Sequence, residues 1–98
     1  MNPIIRGDTW NLTLEYRDRC NRLIDLTDTE VTASVELPDQ TWSQNINVVV
    51  LDQAINKGKA LISADTESWR VGEMRLKVTR TKFGVKKSSI AKIKVIEG

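Results

Sequence analysis

The sequence contains no histidine and a single cysteine, Cys20, among its 98 residues. The first absence removes the commonest general base, and the second removes internal disulfides and any Cys/His zinc cluster. Histidine-based triads and zinc enzymes are therefore excluded at the outset. No apolar run approaches the roughly 18 residues of a membrane span, and the opening segment Met1–Arg6 lacks an apolar signal core. The expected place of synthesis and folding is a reducing cytoplasm, with no membrane partner. Helical periodicity of useful length, internal repeats, low-complexity tracts and glycine-rich phosphate loops are also missing.

What remains is a chain that is 40% hydrophobic, with 15 Lys+Arg against 13 Asp+Glu. A chain this short buries roughly 60–65% of the surface its unfolded form exposes, enough for one packed two-layer core and too little for a deep substrate cavity as well. Residues 1–98 are expected to form one domain. The charge divides unevenly: residues 1–49 carry 4 basic and 8 acidic side chains, residues 50–98 carry 11 and 5. The halves either attract each other within the domain or leave a cationic surface for a partner.

Period-two alternation dominates. Trp10, Leu12, Leu14 and Tyr16 share one face of an extended segment, and Val31, Ala33, Val35 and Leu37 share one face of another. Arg17–Arg22 reads as a turn, with Asn21 best able to take a positive φ, before the apolar Leu23-Ile24-Asp25-Leu26. Pro38-Asp39-Gln40 closes the second strand. Further strands follow at Ile46–Leu51 and Lys59–Ser63, with a break at Asn56-Lys57-Gly58. Met74, Leu76 and Val78 alternate with Arg75, Lys77 and Thr79, and Ile93 and Val95 alternate with Lys92 and Lys94, giving a C-terminal hairpin with a cationic face. About seven short strands predict an all-β fold, an immunoglobulin-like antiparallel β-sandwich, with at most one short helical turn near Asp65–Trp69 and Trp10 and Trp69 in its core. A small barrel is the alternative.

The order Arg6-Gly7-Asp8-Thr9, Leu23-Ile24-Asp25-Leu26-Thr27, Gly58-Lys59, Gly72 and then the strand Met74–Thr79 resembles the small β-sandwich domains of tailed-phage and prophage structural proteins. Among them it is most similar to the N-terminal domain of the phage baseplate upper protein type, over Pro3 to Val95. It departs in the Arg17–Arg22 turn, where the family usually carries glycine, and in stopping at Gly98, where the family's domain commonly heads a longer chain. The resemblance implies a virion protein of tail, baseplate or neck, made in the bacterial host cytoplasm, that docks on other tail proteins and has no reaction to catalyse. The oppositely charged halves and the Lys/Arg-rich edge strands add the expectation of a multimer, either a homo-oligomer in head-to-tail contact or a larger assembly, and no cofactor is expected.

The candidate partner surface is Trp42 together with Arg75, Lys77, Lys86, Lys87, Lys92 and Lys94. Trp42 lies among amide and hydroxyl side chains, the composition of a sugar-binding platform; equally, a tryptophan after a turn covers an open sandwich end or enters an interface. The basic residues suit a phosphate backbone, with Phe83 alone available for stacking, but alternating lysine also guards an edge strand against aggregation. Arg6-Gly7-Asp8 matches the integrin tripeptide and Asn11-Leu12-Thr13 a glycosylation sequon, and both read as chance in this setting; Gly7 permits a bend and Asp8 bonds nearby backbone N–H groups. Asp25, Asp28 and Glu30 cluster without a defined ion site, and Cys20 reads as an incidental thiol. No nucleophile, base and oxyanion donors can be assembled from these residues. Assays for hydrolase, transferase and redox activity are expected to show no turnover; a turnover abolished by one point substitution contradicts this.

Overall fold

The computed structural model describes residues 3–98. The alternating segments become seven strands: β1 (Ile4–Ile5), β2 (Thr9–Glu15), β3 (Glu30–Glu36), β4 (Ser43–Val50), β5 (Lys59–Asp65), β6 (Gly72–Lys82) and β7 (Val85–Ile96). There is no helix among the described residues. The strands form one sheet in the order β1-β7-β6-β3-β4-β5-β2, which curls until it nearly closes into a barrel. β4 turns the corner: Ile46 pairs with Ala33 of β3, and Asn47 pairs with Ser63 of β5.

The all-β expectation of about seven strands holds, but the pairing is not wholly antiparallel. β1 runs parallel to β7, with Ile4 opposite Val95, because the chain from Ile4 to Glu15 is shared between two partners. After Ile5 the backbone kinks through Gly7, whose φ of 99° lies in the region that favours glycine. It then re-pairs, antiparallel, with β5. Thr66, fully buried, clasps this kink: its hydroxyl oxygen accepts from the Gly7 N–H at 2.9 Å and donates to the Asp8 carbonyl at 2.6 Å. The backbone of Asp8, rather than its carboxylate, is what the fold holds. Leu23–Leu26 contributes no strand, only an isolated bridge between Leu23 and Arg17.

The core follows the alternation. Val31, Ala33 and Val35 of β3, Met74, Leu76 and Val78 of β6, and Ile93 and Val95 of β7 are all buried, and Trp69 closes one end at 1% exposure. Trp69 is reached by a tight turn and not a helical one: its N–H donates to the Thr66 carbonyl at 3.0 Å, while the Asp65 carboxylate accepts from the Glu67 N–H at 3.0 Å. Trp10 meets the Trp69 ring edge-on, with centroids 5.6 Å apart, but is itself only half-buried, which corrects its expected place in the core. Leu12, Leu14 and Tyr16 are half-buried too, since no strand pairing joins β2 to β7 and their face borders an open seam.

At the opposite end from Trp69, one residue that the sequence does not flag ties two loops together. The Gln53 carboxamide oxygen accepts from the N–H groups of Leu26 and Gly58 at 2.8 and 2.9 Å, and its nitrogen donates to the Leu51 carbonyl at 2.7 Å. Turn residues fall where the sequence puts them: Asn21 and Gln40 both take positive φ, at 62° and 61°.

Trp69→Ala is expected to lower stability in a denaturant titration by about 3–5 kcal/mol, as for other fully buried tryptophans. Thr66→Val, which keeps the shape and deletes the clasp, is expected to lower it by about 1–3 kcal/mol. Near-zero change for Trp69→Ala would put that ring on the surface.

Candidate functional site

The β6–β7 hairpin gathers most of the basic residues singled out above. Directly opposite pairs are Glu73 and Lys94, Arg75 and Lys92, Lys77 and Ile90, Thr81 and Lys86. Since opposed residues share a face and Met74, Leu76 and Val78 point inward, Arg75, Lys77, Lys86, Lys92 and Lys94 all share the outer face. Lys87, opposite Arg80, lies on the inner face instead. Trp42 lies beyond the far end of the hairpin: its carbonyl accepts from the Leu37 N–H at 3.0 Å, and its ring is half-buried against the core. From the Arg75 row to the Lys86 row is six residues of strand, about 20 Å. Trp42 therefore does not form one site with the lysines of the tip.

The two charge halves meet on this layer. Glu36 of β3 stands opposite Arg75, and Lys92 stands beyond it on the other side. Even so, no carboxylate comes within ion-pair distance of Lys77, Lys86, Lys87, Lys92 or Lys94 among the described residues. Lys77 has Ser34 on one side and Ile90 on the other, whereas the row nearest the tip again holds a carboxylate, with Glu30 of β3 opposite Thr81 and Thr81 opposite Lys86.

The tip itself carries a side chain that the sequence reading underweighted. Lys82 pairs with Val85 across a two-residue turn, Phe83-Gly84, in which both residues have positive φ, 51° and 78°. Such a turn suits the right-handed twist of the strands and is normally filled by Asn-Gly or Asp-Gly. A phenylalanine in the left-handed region is unusual and costs roughly 1 kcal/mol or more. Phe83 is also 85% exposed, and Val85 beside it is 61% exposed. The Lys82 ammonium lies 5.6 Å from the Phe83 ring centroid. Neither packing nor backbone geometry accounts for an aromatic residue here.

Elsewhere on the surface three titratable groups are shifted by their surroundings. Burial pushes the Tyr16 phenol up, with Arg80 opposing, its guanidinium 5.2 Å from the ring centroid. The Asp25 carboxyl is held down chiefly by the Thr27 hydroxyl, with the Thr27 N–H and the charges of Lys57 and Lys82 adding to it. Asp39 is lowered first by the Thr41 N–H and then by the Thr41 hydroxyl. Both aspartates contribute stability that is present above the ordinary aspartate range and is lost as pH falls through the lowered one. These contacts brace two exposed turns. Among the described residues no three His, Cys, Asp or Glu side chains cluster as a metal site, and Cys20 is an exposed free thiol.

No family model matches the chain, and no curated protein matches it significantly.

Phe83→Asn converts the tip to the favoured Asn-Gly turn, so it is expected to raise stability by about 0.5–1 kcal/mol in urea titration. Unchanged or lowered stability would show that the phenylalanine already serves the folded chain.

Proposed function

We propose that this chain is a non-catalytic docking module of a tailed-phage or prophage particle, in its tail, baseplate or neck, acting by protein–protein assembly. The observation that carries the docking reading is Phe83, a large apolar side chain kept exposed at a position where both solvent and backbone geometry disfavour it. Aromatic anchors ringed by polar and charged residues are what dominates the energy of protein interfaces, and the lysines flanking this tip supply such a rim. Charge there also steers encounter with an acidic partner.

The particle assignment is supported by the resemblance in sequence order. The motifs behind it have structural roles: Gly7-Asp8 forms the kink clasped by Thr66, and Asp25 accepts from both the Thr27 N–H and hydroxyl, at 2.9 and 2.6 Å. They speak to architecture, so the docking function rests on the hairpin. The sharing of β4 between a five-strand layer and a three-strand layer supports describing the barrel as a sandwich of immunoglobulin-like character.

Mass spectrometry of purified particles from the host strain is expected to find the chain at a fixed copy number. A tagged Phe83→Asn chain should fold and yet be incorporated about tenfold less, the consequence of losing one interface anchor. Absence from particles overturns the assignment, and undiminished incorporation of Phe83→Asn overturns the role of the tip. DNA binding that falls steeply with salt and disappears on reversing Lys86 and Lys87 would favour nucleic acid as the partner instead.

A further inference from the structure

The seam between β2 and β7 is more than an imperfection of the barrel. Among the described residues both strands present a free edge to it: β2 pairs only with β5, and β7 pairs with β6 on one side and, on the other, only at Val95 and Ile96 with β1. Between them lies a groove of about 630 Å³. Its apolar lining comes from Leu12 and Leu14 of β2 and Leu76 and Val78 of β6. On the β7 side the residues facing inward are Lys87, Ser89 and Ala91, which are small apart from the lysine and exposed despite facing the barrel interior. They leave unfilled the space that larger side chains would occupy.

The hydrogen-bonding capacity of the β7 edge can be read from the hairpin register. A two-residue turn makes Lys82 and Val85 a hydrogen-bonded pair, so Lys87, Ser89 and Ala91 direct their N–H and C=O groups to β6. Ser88, Ile90 and Lys92 must then direct theirs outward. Ile96, of the same parity, does this visibly: its carbonyl accepts from the Arg6 N–H at 2.9 Å, on the β1 side. One half of the edge thus already takes an added strand, and the other half, beside Lys87 to Ala91, has none.

We propose that this half of the groove accepts an extended segment of a partner protein, in which apolar residues alternate with acidic ones, as an added strand on β7. The apolar side chains of the segment settle on Leu12, Leu14, Leu76 and Val78, and its backbone pairs with Ser88, Ile90 and Lys92. Acidic character is required by the rim. The acidic side chains of such a segment alternate to the outer face, where Lys86 and Lys92 flank the edge and, among the described residues, the one carboxylate that lines the groove, Glu15, is already ion-paired with Arg17.

A second copy pairing edge to edge is disfavoured by the same lysines. Two-fold antiparallel pairing of β7 with itself about Ser89 sets Lys86 against Lys92, and like charges directly opposite destabilise a sheet. The groove is a separate surface from the Phe83 tip, so the two readings stand or fall independently.

The test uses the full chain and fluorescein-labelled seven-residue peptides in anisotropy titrations. One peptide alternates valine with glutamate, a second has lysine for glutamate, and a third is the glutamate peptide N-methylated on alternate backbone nitrogens. The glutamate peptide is expected to bind, with the other two weaker by about tenfold or more. Lys86→Glu combined with Lys92→Glu should reduce binding of the glutamate peptide and raise that of the lysine peptide. Ile90→Pro, which removes an outward N–H and spares the ladder to β6, should abolish binding with the circular dichroism spectrum unchanged; the N-methylated peptide makes the same point without altering the protein. No binding of the glutamate peptide, or equal binding of all three, overturns the proposal. A homodimer in light scattering that Ile90→Pro dissociates would assign the edge to a second copy and overturn it equally.

Discussion

The division of the first extended run at Gly7 is the constraint on which the rest of the molecule depends. Residues on one side of the kink pair with β7 and those on the other side pair with β5, so a single stretch of chain ties together the two ends of the strand order. Thr66 makes the division specific, because its buried hydroxyl needs both the Gly7 N–H and the Asp8 carbonyl to be satisfied. The same kink leaves the barrel open. Once the chain has crossed to β5, no strand among the described residues covers the edge of β7 from Val85 to Lys94, and the inner face of β2 stays half-buried.

An uncovered strand edge is a hazard, and its side chains show how it is managed. Lys86, Lys87, Lys92 and Lys94 bracket the uncharged run Ser88-Ser89-Ile90-Ala91, which opposes pairing with identical edges. The protection is sign-specific, since a strand bearing carboxylates meets attraction where a copy of β7 meets repulsion. Phe83 makes a different kind of compromise. Asparagine at that position would relax the turn and remove an exposed ring, and the chain retains phenylalanine. Local geometry and the global fold disagree at this residue, and such disagreements concentrate where a protein meets something else.

Much of the fold is legible in the sequence because burial on one side of a strand writes itself as alternation. Val31-Ala33-Val35, Met74-Leu76-Val78 and Ile93-Val95 were each readable, and each lies inward. The parallel strand β1 was not, since two residues show no period. Trp10, Leu12 and Leu14 carry the pattern of a fully covered face and are half-buried, because the pattern records which way a side chain points and not whether a strand lies across from it. Gln53 carries no periodic signal: its bonds to Leu51 and Gly58 are local, and the one that ties the loops together comes from Leu26, 27 residues away. For the candidate site, alternation grouped Arg75, Lys77, Lys92 and Lys94 on one face, while the adjacent Lys86 and Lys87 are parted only by the hairpin register, which turns Lys86 outward and Lys87 inward. The Phe83 tip was hidden for a related reason: a lone Gly84 marks a turn, but only the register shows that the turn has two residues and that phenylalanine must take the left-handed position.

The open seam is tested most directly by residue-resolved amide hydrogen exchange along β7, measured by NMR on the isolated chain. An unpaired edge predicts a two-residue alternation, with slow exchange at Lys87, Ser89 and Ala91, whose N–H groups face β6, and fast exchange at Ser88, Ile90 and Lys92, whose N–H groups face the groove. Uniform protection of all six would mean that β2 and β7 pair and the barrel is closed, and it would contradict the account.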